Sequence, residues 1–135
     1  MITRTSTDPE GAVKDWVNGG AVPLLAGHAW LGIPSGNPVM PLLDISRVGG
    51  GFRPDGLEDV VLVLDVWAKS KLAASDASRQ LTAALVMEAE GMALNAGTWC
   101  HGVSGVSTVW LPDPTAKLVR YSLTVSMTVE ARELP

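Results

Sequence analysis

Apolar residues recur along this chain at two spacings, and the places where the spacing changes mark the elements. Between residues 7 and 19, Val13, Trp16 and Val17 fall on one face at helical spacing. Thr7 and Glu10 stand at capping-box spacing. Asp8-Pro9 is an equally good start, with Asp8 as cap and Pro9 at the first helical position. Gly19-Gly20 ends this short helix, because glycine takes the left-handed cap conformation at little cost.

Residues 21–41 are dense in Pro and Gly, which rules out a long helix there. His28 to Ile33 reads as a short strand or an extended segment, and Val39 to Val48 as a strand that tolerates Pro41 near its start. Gly49-Gly50-Gly51 then breaks the pattern, and the stretch to Gly56 reads as a mobile loop. Val60 to Ala68 is β-branched and nearly continuous, as expected of an interior strand covered on both faces. Asp65 is its one charge.

Helical spacing returns over Ser70 to Asn95. Ala77, Leu81, Ala84, Leu85, Glu88 and Met92 share a face, with Ser70 or Ser75 as cap and Gly97 as the stop. The last two segments alternate. Val103, Gly105, Ser107 and Val109 oppose Ser104, Val106, Thr108 and Trp110. After a turn at 112–115, Val119, Tyr121, Leu123, Val125, Met127, Val129 and Ala131 oppose Leu118 and the polar set Arg120, Ser122, Thr124, Ser126, Thr128 and Glu130. These two strands form a hairpin. The pattern predicts a single α+β domain spanning 1–135. Its mixed or antiparallel sheet of about four strands packs against one long helix, with a short N-terminal helix besides.

Composition sharpens the picture in three ways. Charged residues make up 18% of the chain, below the usual share for a water-facing domain, which hints at subunit contacts. The net charge of -4, with no basic run, argues against a dedicated nucleic-acid binder, which needs cations to displace counterions from phosphate. The start of the chain, Met1 to Pro9, lacks the apolar core of a signal peptide, and no apolar run approaches the ~20 residues that span a bilayer.

Candidate chemistry is sparse. Cys100 is the sole cysteine, so no internal disulfide forms. Cys100 and His101 are neighbours, and neighbours on a strand point apart, so they make a poor nucleophile–base pair. With His28 as the only other histidine there is no zinc-ligand spacing. Asp55, Glu58 and Asp59 cluster beside the glycines without matching a calcium loop, and read as a solvated edge. Gly49-Gly50-Gly51 leads to Phe52-Arg53-Pro54 rather than into a helix, so it does not cradle phosphate. Five tryptophans against one Tyr and one Phe read mostly as core or sheet anchors, with one or two as interface contacts. The residues therefore point to no catalytic, cofactor or metal site. The surface they single out is a subunit-contact loop of Arg47, Gly49, Gly50, Gly51, Phe52, Arg53 and Asp55.

The run Ser46-Arg47-Val48-Gly49-Gly50, then Asp59 to Ala68 ending in Val66-Trp67-Ala68, then an Ala-rich helix, resembles the tail-terminator proteins of tailed phages, especially those of actinobacteria. The resemblance covers residues 8 to 131 and departs in the Gly- and Pro-rich stretch 21–38. It implies a non-enzymatic virion protein, assembled in the host cytoplasm, that forms a hexameric ring at the head-proximal end of the tail tube. Such a ring ends tube polymerisation and offers a docking face to the head–tail connector or stopper. Genomic DNA only passes through its lumen, and no membrane is involved. An acidic chain suits that lumen, because like charge does not grip phosphate. The competing readings are a small ligand-binding or regulatory α+β domain of a cellular protein and, third, an enzyme.

Overall fold

The computed structural model describes residues 6–34, 36, 38–112 and 117–132. Helix α1 (Pro9–Trp16) starts as the second of its two candidate caps requires: the Asp8 carboxylate accepts from the Gly11 N–H at 3.1 Å, and Pro9 takes the first position. A wider turn, Val17–Ala21, continues it until Gly20, whose φ of 112° ends it. A 3₁₀ turn (Pro23–Leu25) leads to the two-residue strand β1 (Ala29–Trp30). Then come β2 (Leu42–Phe52), β3 (Leu57–Ala68), helix α2 (Lys71–Met87), β4 (Met92–Asn95), β5 (Thr98–Pro112) and β6 (Val119–Ala131).

All six strands join one sheet in the order β1-β2-β3-β6-β5-β4, with β1 parallel to β2 and the remaining pairs antiparallel. The sheet curls into a half-barrel. The expected α+β domain of four strands against one long helix is thus corrected: the protein is mostly sheet, with two short helices. Two local causes account for the difference. The glycines read as a loop lie inside a strand, since Gly49, Gly50 and Gly51 pair with Val61, Val60 and Asp59. The helix expected to reach Asn95 stops at Met87, where the N–H groups of Glu88 and Ala89 both bond to Ala84 O. Gly91 (φ 76°) then turns the chain, and Met92 pairs with Cys100. Strand pairing overrides helix propensity over those last residues.

One face of the sheet is buried under both helices. Paired residues share a face, so Ile45, Leu64 and Leu123 stack there, as do Leu62 and Val125, and Val60 and Met127. Ala12, Val13, Trp16 and Val17 of the N-terminal helical segment close over this layer, together with Ala77, Leu81 and Leu85 of α2. Burying each such leucine contributes about 1.5–3 kcal/mol. β3 is interior in the pairing order but covered on this face alone. Val61, Val63, Asp65 and Trp67 on the other face are half-buried. There Asp65 meets Arg120 at 3.6 Å, and the Arg120 guanidinium lies over Trp67.

β6 keeps the predicted alternation over Leu123 to Val129, with Leu123, Val125, Met127 and Val129 buried; residues 119–122 are uniformly half-buried and Ala131 is exposed. β5 does not. A bulge between Val103 and Gly105 puts Val103 and Val106, which strict alternation separates, on the same side against the core. The turn read at 112–115 lies largely outside the described residues.

Candidate functional site

The residues singled out around the triple glycine form a hairpin tip rather than a mobile loop. Phe52 pairs with Glu58, and beyond it Arg53 N–H donates to Leu57 O at 2.8 Å and Gly56 N–H to Arg53 O at 3.0 Å. Asp55 accepts from the Leu57 N–H and from the Arg53 guanidinium, which hold its carboxyl below the ordinary range.

Arg47 points the other way, into the protein, 2.6 Å from Glu58, whose side chain is 1% exposed. Burial opposes the Glu58 charge. The Thr7 N–H (2.8 Å), the Thr7 hydroxyl (2.9 Å) and Arg47 outweigh it and keep the pKa below the ordinary glutamate value. The guanidinium also donates to Gly49 O, while the Arg47 N–H donates to Glu10. Thr7 and Glu10, which looked like a capping box, thus serve this network instead. The register shifts between Arg47 and Gly49, and Gly50 (φ 109°) sits where a Cβ would fall 1.9 Å from Asp59 O. The Arg47-Val48-Gly49-Gly50 motif is a glycine-dependent β-bulge locked by an ion pair from the half-buried Arg47 to the buried Glu58.

The acidic cluster is likewise divided. Glu58 faces the core, while Asp55 and Asp59 lie outside with Arg53. The Cys100 thiol is buried, which raises its pKa, and lies 3.7 Å from Gly102 O. His101 stands on a bulge outside and meets Glu130 at 2.7 Å. His28 contacts Val39 O. The fold therefore does not assemble the three into a nucleophile or metal group. Of the tryptophans, Trp16 alone enters the core. Trp67, Trp99 and Trp110 each carry a cation on the sheet: Arg120, Arg132 and Lys71.

What the structure does assemble is a pair of open edges at opposite ends of one sheet. On β2, strand β1 covers only Leu43 and Asp44. Among the described residues no strand flanks Val48 to Phe52 on the side away from β3, and these residues are exposed apart from the half-buried Gly49. On the outer side of β5, strand β4 covers Thr98 to Cys100 and no described strand flanks residues 101–112. Neither run contains Asp, Glu, Lys or Arg. Soluble proteins protect solvent-facing edges with such charges, especially Lys. Instead Val109, Trp110 and Leu111 are exposed on one edge, and Val48 and Phe52 on the other. The sequence reading singled out the β2 edge through its glycines. It missed the β5 edge, although the charge-free run 101–112 was a readable signal.

Beside the β5 edge, between α2 and the β5–β6 hairpin, lies a groove of about 520 Å³ lined by Ser75, Arg79, Val86, Met87, Thr108 and Tyr121 among others. No helix among the described residues is long and apolar enough to cross a membrane.

Neither a protein-family model nor a curated protein sequence matches the chain. Solved structures do match its fold. A chain from the virion of a native gene transfer agent particle is 17% identical at a TM-score of 0.68, over 90% of this chain and 93% of that one. The architecture described above is therefore one that a virion component also adopts.

Proposed function

We propose that this chain is a structural virion protein that closes head-to-tail into a ring and caps the head-proximal end of a phage tail tube. The observation that carries the reading is the pair of uncharged edges, at opposite ends of one curled sheet, that no described strand covers. Each edge needs a strand beside it. A second copy supplies one to each, and rotation in one sense lets the chain of contacts close instead of growing without end. The likeness to a virion chain over nearly the whole length supports the same setting. The phage-tail resemblance of the Arg47–Gly50 and Val66–Ala68 motifs supplies the hexamer, the tube protein and the head–tail connector or stopper as partners, and a lumen through which DNA passes.

In such a ring one rim binds the tube and the other differs from the tube's own end, so that no further tube subunit adds. Negative-stain images of the purified protein are expected to show rings. Added to polymerising tube protein, it caps tubes and limits their length. A protein that stays monomeric at all concentrations, or tubes that grow unchanged with none of it at their ends, would overturn the reading.

A further inference from the structure

The two edges are open over different stretches, and this constrains how copies meet. We propose that neighbouring copies pair β2 with β5 in one staggered antiparallel register, with Gly49, Gly50 and Gly51 of one copy opposite Leu111, Trp110 and Val109 of the next, and that Phe52 enters the groove beside α2. The inference rests on the ring reading and specifies its seam.

Direction follows from topology. β2, β3, β6 and β5 are successively antiparallel, so β2 and β5 run in opposite senses, and rotation about a ring axis preserves each sense along that axis. Their contact is antiparallel.

Stagger follows from what blocks each edge. Across the sheet, Phe52 is level with Glu58, Val129 and Cys100, and Leu43 is level with Val66, Tyr121 and Trp110. A level contact would therefore set the open end of β2 against β4, and β1 against the open end of β5. Sliding the next copy until Phe52 reaches Thr108 brings the exposed run Val48–Phe52 onto Thr108–Pro112 and clears both obstacles. Closed sheets require a stagger of this kind.

The side chains select that register. Val109, Trp110 and Leu111 are 54%, 43% and 36% exposed, and three glycines opposite them present no side chains to collide. A large apolar residue across from a strand glycine covers its bare backbone. Face parity also holds. Phe52 pairs with the core-facing Glu58, and Thr108 with the core-facing Leu123, so both point to the helix side of the sheet. The Phe52 ring, 52% exposed, then meets the groove lined by Val86, Met87, Thr108 and Tyr121.

Disulfide trapping tests the register, because the native Cys100 is buried. Gly51→Cys with Val109→Cys is expected to give, on mild oxidation, a covalent ladder ending at the closed ring, while either single variant gives none. Gly51→Cys with Ser107→Cys, on the same face but two residues out of step, is expected to stay uncrosslinked. Phe52→Asp is expected to weaken assembly about tenfold or more while the monomer's circular dichroism is unchanged. Wild-type rings whose 51/109 pair does not crosslink, or whose 51/107 pair crosslinks instead, overturn this seam and leave the ring standing. Assembly of Phe52→Asp at the wild-type concentration removes the anchor. If Phe52→Asp does not fold, the cysteine pairs alone decide. A wild-type chain that never leaves the monomer overturns seam and ring together.

Discussion

The inner strands β3 and β6 and the outer strands β2 and β5 belong to one sheet, yet they follow different rules. β3 and β6 pair without interruption from Leu57↔Glu130 to Ala68↔Val119, and their core-facing side is filled by Val60, Leu62, Leu64, Val66, Leu123 and Val125. β2 and β5 are broken by bulges at Arg47/Gly49, Cys100/Gly102 and Val103/Gly105, and each shows an uncharged stretch whose outer side no described strand pairs. The inner pair carries the stability of the subunit. The outer pair gives up regular packing for a backbone edge that another chain can read.

Four substitution sets sharpen or break this contrast. The largest effect belongs to the inner strands: Leu62→Ala, at a fully buried site, is expected to cost about 2–5 kcal/mol in chemical denaturation. Val109→Ala on the open edge is expected to change monomer stability by under ~0.5 kcal/mol and to act on assembly instead. Equal losses at both sites would erase the distinction.

Next is the ion pair that locks the bulge. Glu58→Gln leaves the half-buried Arg47 without its carboxylate and is expected to cost about 1–3 kcal/mol at neutral pH. Because the folded pKa of Glu58 is depressed, the charge contributes fully above its unfolded value near 4.5 and is lost as pH falls through the lower folded value. The gap between wild type and variant should therefore narrow below about pH 4.5 in denaturation series. A gap independent of pH would show that the carboxylate charge does not act there.

The adjacent glycines should then part company. Gly50→Ala puts a Cβ against Asp59 O at a positive φ and is expected to cost about 2 kcal/mol or more. Gly51→Ala meets nothing within 4 Å and should leave the fold within ~0.5 kcal/mol of wild type. Matching melting temperatures for the two would contradict the bulge geometry.

The smallest effect lies in the side chains that resemble catalytic groups. His28→Ala and His101→Ala are each expected to shift stability by under about 1 kcal/mol, and Cys100→Ala by somewhat more, since it opens a small buried space. None should abolish tube capping. Loss of function in any of the three with the fold intact would reopen an enzymatic reading.

The sequence alone determined those elements whose signal is local to the element itself. Alternation gave the core face of β6 over Leu123 to Val129, because a half-buried strand has a period of two. The Asp8-Pro9 start, the Ser70 cap and the β-branched run of β3 were legible for equally local reasons. Only the tertiary structure decided features that depend on what an element pairs with. Gly49 to Gly51 are strand rather than loop because Asp59 to Val61 hold their backbone groups. Residues 92–95 are strand rather than helix because β5 pairs with them. Thr7 and Glu10 leave a local cap for an ion-pair network across β2 and β3, since Glu58 and the Arg47 N–H need partners where water does not reach. The open edges stand at the same limit. Their lack of charge is written in the sequence, but which backbone groups remain unpaired depends on the order in which the strands assemble, and composition carries no record of that order.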